Sequence, residues 1–203
     1  MRFNIPIITL LLCFIVLTVS SLVAYEVNGS VLSKVRILDL KIYGGVTFQQ
    51  LRELELWRLF SSQLVHVKPI HMLFNVISLF FIGMLVENKI GGQKLLQLFF
   101  VSGIIGTLAS IITVPSPYDV GTGASQAVLG LTGCGVLLMV KGLDKSIWLK
   151  LSLIFCIVPA LALDLIYSGY PKVGHVVGFT VGVILSLFFI SNTKTKRYVQ
   201  VNS

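Results

Sequence analysis

The sequence predicts an all-α membrane protein, a bundle of six transmembrane helices with a long loop between the first two. Three observations predict it. Of 203 residues, 55% are hydrophobic and only 12% are charged, with a mean hydropathy of +0.92. A soluble domain carries about 25% charged residues, so this chain cannot cover a water-facing globule. A soluble enzyme is excluded, and the apolar content excludes disorder. Six apolar stretches reach the length needed to cross the hydrocarbon core, about 17–25 residues. Finally, the net charge of +8, from 16 Lys and Arg against 8 Asp and Glu, is spread between apolar runs and in the tail. That pattern suits the loops of a membrane protein better than one nucleic-acid-binding face, so no nucleic-acid partner is expected.

The first stretch, residues 5–24, is uncharged; a signal peptide with Arg2 as its charged n-region is the alternative, but the stretch is long for one and no small residue lies two places before Ala24, so a retained span is favoured. The second, 70–86, contains His71 and Asn75. The third, 95–114, is uncharged and ends at Pro115. The fourth, 124–140, is uncharged and glycine-rich. The fifth, 147–167, contains Lys150 and Asp164, and the sixth, 173–191, contains His175. Cys13, Cys134 and Cys156 all lie in apolar runs without metal-ligand spacing and read as small buried hydrophobes, so no metal is expected.

The connections alternate in charge. Segments 87–94, 141–146 and the tail carry Lys89, Lys94, Lys141, Lys145, Lys194, Lys196 and Arg197. Segment 115–123 has no cation and 168–172 has one. The positive-inside rule therefore puts both termini in the cytoplasm. The long loop one, residues 25–69, then lies outside, although it carries six Lys and Arg; long loops count less in this rule. Its Trp57, Phe60 and scattered leucines predict a short interfacial helix.

Polar groups inside a membrane are costly and usually functional. His71, Asn75, Ser125 and His175 lie at or near the starts of spans two, four and six. Alternating spans bring all three starts to the outer leaflet. Ser125 is 16 residues before Lys141, and His71 is 16 before Glu87, a distance of ~24 Å along a helix. Against a core of ~30 Å, both lie several ångströms below the outer surface. His175, 19 residues before Lys194, lies slightly nearer it. Such a set requires a hydrated recess, and segment 115–123 can dip inward to form one. Gly174, Gly178 and Gly182 form a small-residue ridge on span six, and Gly130 and Gly133 answer it on span four; close packing there would bring Ser125 towards His175. His71 and Asn75, four apart, share a helix face and suit a developing oxyanion. Taken singly, each of these residues is explained by packing or by a bond to a neighbouring helix. Together at one depth, they point to a hydrolytic site.

The motifs resemble the rhomboid intramembrane serine protease family. Trp57-Arg58 is similar to its WR motif, His66-x4-His71-x3-Asn75 to its HxxxxHxxxN signature, and Gly83-x3-Glu87-x3-Gly91 to the end of its second span. Gly123-Ala124-Ser125 is similar to its GxS motif, and His175-x2-Gly178-x3-Gly182 to its HxxGxxxG. All five occur in the family's order. The resemblance implies a rhomboid-like bundle in which residues 1–203 form one six-span domain, 57–191 the protease core and 192–203 a cytoplasmic tail. It implies Ser125 as nucleophile and His175 as general base, a pair without a carboxylate. His71 and Asn75, with the Ser125 N–H, would hold the oxyanion. His66 would support the loop, and Trp57 and Arg58 would brace loop one, Arg58 being otherwise an interfacial anchor. Glu87 would organise the cytoplasmic turn or be a solvated charge.

Two residues depart from the family's pattern. Gln126 stands where glycine usually follows the serine, and Leu129 where an aromatic usually stacks on the histidine. Gly174 stands where alanine is frequent. Asp164 faces either the recess or, the reading preferred here, the membrane interface. The expected partners are the lipid bilayer and a membrane-protein substrate with a transmembrane segment, and no cofactor is expected. A non-catalytic rhomboid-like binder of membrane helices and a small transporter are the alternatives. The compact chain without an evident targeting extension predicts a bacterial plasma membrane, with the site opening outward.

Overall fold

The computed structural model describes residues 5–167 and 171–201, with side chains through residue 190. Among the described residues, eight α-helices follow in chain order: α1 (Ile7–Asn28), α2 (Phe48–Arg52), α3 (Arg58–Ser61), α4 (Pro69–Ile90), α5 (Gly92–Thr113), α6 (Ser125–Val140), α7 (Ile147–Ile166) and α8 (Lys172–Val201). Helices α1, α4, α5, α7 and the Lys172–Ile190 part of α8 are each long and apolar enough to cross a membrane. Apolar α6 has 16 residues, ~24 Å of rise. On the Ser125 side the chain continues as an irregular segment, and Val120, Gly121, Gly123 and Ala124 of that segment are buried. Protein cover is what lets non-helical backbone persist at membrane depth.

The long helices outrun the apolar stretches that mark them. α1 continues past Glu26, α4 past Glu87 and Lys89, and α5 begins before Lys94. Charge ends the hydrocarbon-compatible stretch, not the helix, because side chains at helix ends reach water. The stops are local. Gly29 closes α1 in the left-handed region, at φ 70°. Pro69 opens α4, where its missing N–H costs no hydrogen bond. Ser146 caps α7 by accepting from the Leu149 N–H. The expected tail is a continuation of α8 as far as Val201; the side chains of Lys194, Lys196 and Arg197 lie outside the described residues, as does Arg2.

Helix α6 is the centre. Every residue from Ser125 to Gly135 is buried, and α4, α5, α7 and α8 pack around it, while α1 packs on α4 and α5. Large apolar side chains such as Phe14, Leu22, Ile77, Ile154 and Leu161 are exposed on the outside. An apolar exterior around a tight core is what lipid requires. The chain is a multi-pass integral membrane protein.

Backbone contact holds α8 on this centre. A Cβ at Gly182 would lie 2.1 Å from the Gly130 carbonyl oxygen, and one at Gly178 would lie 2.5 Å from that of Gln126. Gly174 continues the same spacing but faces α5, where a Cβ would lie 1.8 Å from Ser110 Oγ. The ridge is therefore shared between two helices.

Polar ties secure the end of the bundle that carries the lysine-rich turns. Glu87 accepts from the N–H groups of Ile8 and Thr9 at 3.1 and 2.8 Å and from Thr9 Oγ1 at 2.6 Å. It thus caps α1, whose N-terminus favours negative charge, and it is not a solvated loop charge. Lys89 Nζ lies 3.2 Å from Asp144 Oδ2 and donates to the Leu143 carbonyl at 3.1 Å. Lys94 Nζ donates to the Phe189 carbonyl at 2.8 Å.

Replacing Gly182 by Ala is expected to lower stability in detergent by about 1–3 kcal/mol, since the obstructing atom is backbone and cannot rotate away. Thermal unfolding of the purified variant checks this; an unchanged midpoint would contradict the contact.

Candidate active site

Loop one shapes the site before any reactive group is placed. Arg58 is buried, and its Nη1 donates to the carbonyls of Lys41 at 2.7 Å and Gly45 at 3.1 Å. Its Nε pairs with Glu55, and its guanidinium lies 4.4 Å from the centroid of the Trp57 ring. Arg58 is therefore a cross-tie within the loop and not an interfacial anchor; Trp57 and Phe60 are the half-exposed residues there. The next residue beyond the tie, Val46, exchanges both backbone bonds with Gly121. Gly123 donates its N–H to the Ser62 carbonyl at 2.8 Å. Loop one thus grips the irregular segment that leads into α6.

His66 completes that grip. Its Nε2 accepts from the Ala124 N–H at 3.2 Å, so its Nδ1 carries the proton and donates to Ser20 Oγ at 2.8 Å. Ser20 in turn donates its O–H to the Leu64 carbonyl at 2.7 Å. One neutral imidazole therefore links α1 to the residue preceding Ser125. Burial, with a smaller contribution from His71, pushes His66 down from 6.5 to about 3. Gly123, at φ 93°, lies against both rings: a Cβ there would be 3.4 Å from His66 and 3.7 Å from His71.

Ser125 and His175 meet beyond this point. Ser125 is the first residue of α6, and His175 is one turn into α8, with its N–H on the Pro171 carbonyl. Ser125 Oγ lies 2.9 Å from His175 Nε2. Gln126 is fully buried; its Oε1 lies 3.2 Å from Ser125 Oγ, and its Nε2 donates to Ser110 Oγ at 3.2 Å. Two acceptors thus share the one Ser125 proton, the imidazole being the nearer. On the other edge of the imidazole, Nδ1 lies 2.9 and 2.8 Å from the two carboxylate oxygens of Asp164 on α7. Asp164 and His175 are both buried. Asp164 is therefore not an interfacial residue, and the Ser125–His175 pair has a carboxylate beside it.

His71 and Asn75 rise from the first turns of α4. Together with Ser125, His175 and Leu129 they line a small cleft between α4 and α7. The Asn75 amide donates to the His71 carbonyl at 3.1 Å and lies 3.3 Å from His66 Nε2. A larger cavity of about 370 Å³ opens beside Ser125, His71 and Gln126, walled by Tyr118, Val120 and Tyr167. The Ser125 hydroxyl thus adjoins open space. Among the described residues, no cluster of three or more His, Cys, Asp or Glu side chains is arranged to hold a metal.

A family model for the Rhomboid domain matches residues 53–192. The chain belongs to the rhomboid family. It is similar to YdcA, a rhomboid of Bacillus subtilis (strain 168), with 34% identity over 146 residues, 71% of this chain and 72% of YdcA. It is 27% identical over 172 residues to the rhomboid protease GluP of the same organism, covering 83% of this chain but only 32% of GluP. It is also 32% identical over 108 residues to the inactive RHOMBOID-like protein 8 of Arabidopsis thaliana, covering 53% of this chain and 29% of that protein. The matched region contains every residue of this rhomboid's candidate site.

The displaced His66 pKa gives a signed expectation. Between pH 6.5 and about 3 the unfolded chain binds a proton at this position and the folded chain does not. Stability therefore falls on acidification through that window, by at most about 1.4 kcal/mol per pH unit from this group. His66→Gln is expected to be less stable at pH 7 and to show a shallower acid slope. Unfolding measured in detergent from pH 7 to pH 4 reads both effects.

Proposed function

We propose that this rhomboid is an intramembrane serine endopeptidase that cleaves other membrane proteins in or near a transmembrane segment. The 2.9 Å contact between Ser125 Oγ and His175 Nε2, beside a cavity large enough for a substrate side chain, carries this reading. The named rhomboid protease among its relatives supports it.

The chemistry follows from the geometry. A serine hydroxyl is a weak nucleophile until a base takes its proton. As Ser125 Oγ bonds to the scissile carbonyl carbon, its proton passes to His175 Nε2. The carbonyl oxygen becomes an oxyanion, met by donors from His71, Asn75 and the Ser125 N–H. The Asn75 amide is held by the His71 carbonyl and His66, so it is already oriented and the oxyanion competes for the same protons. Collapse breaks the C–N bond, and His175 gives its proton to the leaving amine. Water then attacks the acyl-enzyme by the same route in reverse, with His175 again as base. His66 and Arg58 act upstream by fixing the backbone that presents Ser125. Gln126 holds the serine hydroxyl in the resting site and lends its own side chain to the cavity wall.

The topology follows the same reading. The turns holding Lys89, Lys94, Lys141 and Lys145 face the cytoplasm, both termini lie there, and the Ser125 cavity opens on the opposite side of a bacterial plasma membrane. Substrates are membrane-anchored helices that unwind locally to reach Ser125.

Wild-type protein in detergent or liposomes is expected to cleave a model transmembrane substrate. Ser125→Ala and His175→Ala are each expected to lose nearly all of that activity, with a fall of about 10³-fold or more. Removing one oxyanion donor, as in His71→Ala, is expected to lower kcat by about 10²–10³. Cleavage that is equal in wild type and both site variants would overturn the protease reading and leave a helix-binding protein.

A further inference from the structure

We infer that Asp164 is the third member of the hydrolytic site, a positioning residue that fixes the tautomer and orientation of His175. The inference rests on the protease reading above, and it goes beyond the Ser–His pair that the family resemblance implies.

Three observations carry it. The first is contact: both Asp164 oxygens lie within 2.9 Å of His175 Nδ1, while Nε2 on the opposite edge of the ring meets Ser125 Oγ at 2.9 Å. A carboxylate accepts and does not donate. It therefore holds the proton on Nδ1 and leaves the Nε2 lone pair for the serine proton. The second is the position of Asp164 on α7. It sits in the last turn of the helix, whose end at Ile166 is the unfavourable end of the dipole for negative charge. It is also 9% exposed. A carboxylate there needs a partner, and among the described residues His175 supplies it. The third is the architecture. Ser125, His175 and Asp164 come from three separate helices, α6, α8 and α7, with α7 and α8 each packed on α6. Their alignment is thus a property of the bundle and not of one local turn.

The step balances without further reagents. The Ser125 Oγ–H bond breaks, a His175 Nε2–H bond forms, and Oγ bonds to the carbonyl carbon. Asp164 exchanges no proton. It faces the imidazolium that has just formed and stabilises it directly, both residues being buried. The leaving amine then removes the proton from Nε2, and the neutral ring returns with Nδ1 still bound to Asp164. Leu129 supplies an apolar wall to the same cleft. The Asp164 contact therefore takes over the orienting duty that a stacked aromatic would perform.

The test compares wild type, Asp164→Asn, Asp164→Glu and Ser125→Ala on a model transmembrane substrate. Asparagine matches aspartate in shape but can present an N–H to Nδ1 and so stabilise the wrong tautomer. Expected is a fall in kcat of at least about tenfold, approaching the ~10⁴ known for a triad carboxylate turned into an amide, with KM unchanged within about twofold. Asp164→Glu should recover part of the loss. The melting midpoint of each variant separates a folding defect from a catalytic one. Independently of any variant, ¹⁵N chemical shifts of His175 in the wild-type protein should report a proton on Nδ1 and none on Nε2. A smaller loss in kcat with a normal fold, or a wild-type ring protonated on Nε2 alone, overturns the role of Asp164. Equal rates for wild type and Ser125→Ala overturn the protease reading itself, and the two failures are thereby distinguished.

Discussion

In hydrocarbon a polar group finds its partner inside the protein or goes without, and the rest of this structure depends on that constraint. An unsatisfied amide or hydroxyl costs several kcal/mol where water cannot reach. The chain answers with contacts between residues far apart in sequence. Glu87 caps a helix that begins some eighty residues earlier. His66 spans from Ser20 to Ala124. Gln63, fully buried, reaches Thr107 at 2.9 Å. Each contact satisfies a polar group and, in doing so, fixes two helices or a helix and a loop relative to one another. The same requirement that makes polar residues rare here makes each one informative.

Close backbone packing makes this possible. With no side chain at Gly178 and Gly182, the first turns of α8 lie directly on α6. An imidazole on one helix can then touch a hydroxyl on the other. A methyl group at either glycine would separate the helices by more than the tolerance of a hydrogen bond. The arrangement of the small residues, not the polar ones, sets the distance between Ser125 and His175.

The spans were legible because hydropathy is a one-dimensional signal that survives without knowledge of the fold. Their ends were less so, since helices continue through charged residues once outside the hydrocarbon. His71 and Asn75 could be paired from spacing alone, and counting residues to the next charge put them level with Ser125 and His175. Gln126 could be read only as a departure from the family's glycine; that its amide joins Ser125 to Ser110 on α5 depends on helix rotation, which a sequence does not state. The same rotation turns Gly174 towards α5 and away from α6. Asp164 was misread for a related reason. Whether an acid at the end of a span faces lipid headgroups or protein depends on the direction of one side chain. A usable signal did exist: a carboxylate in the last turn of a helix, eleven residues before a histidine across a short connection, is placed where its own helix disfavours it.

The Lys89–Asp144 bond has a mechanical meaning. Asp144 stands three residues before α7, and Lys89 is in the final turn of α4, so the bond rivets these two helices together at one end. Along their length the two helices pack side by side, through ring contacts such as Phe74 and Phe155 at 5.0 Å. Two rods riveted at one end behave like a pair of compasses. Any parting of α4 and α7 is least at the lysine-rich turns and widest at the level of His71 and Asp164.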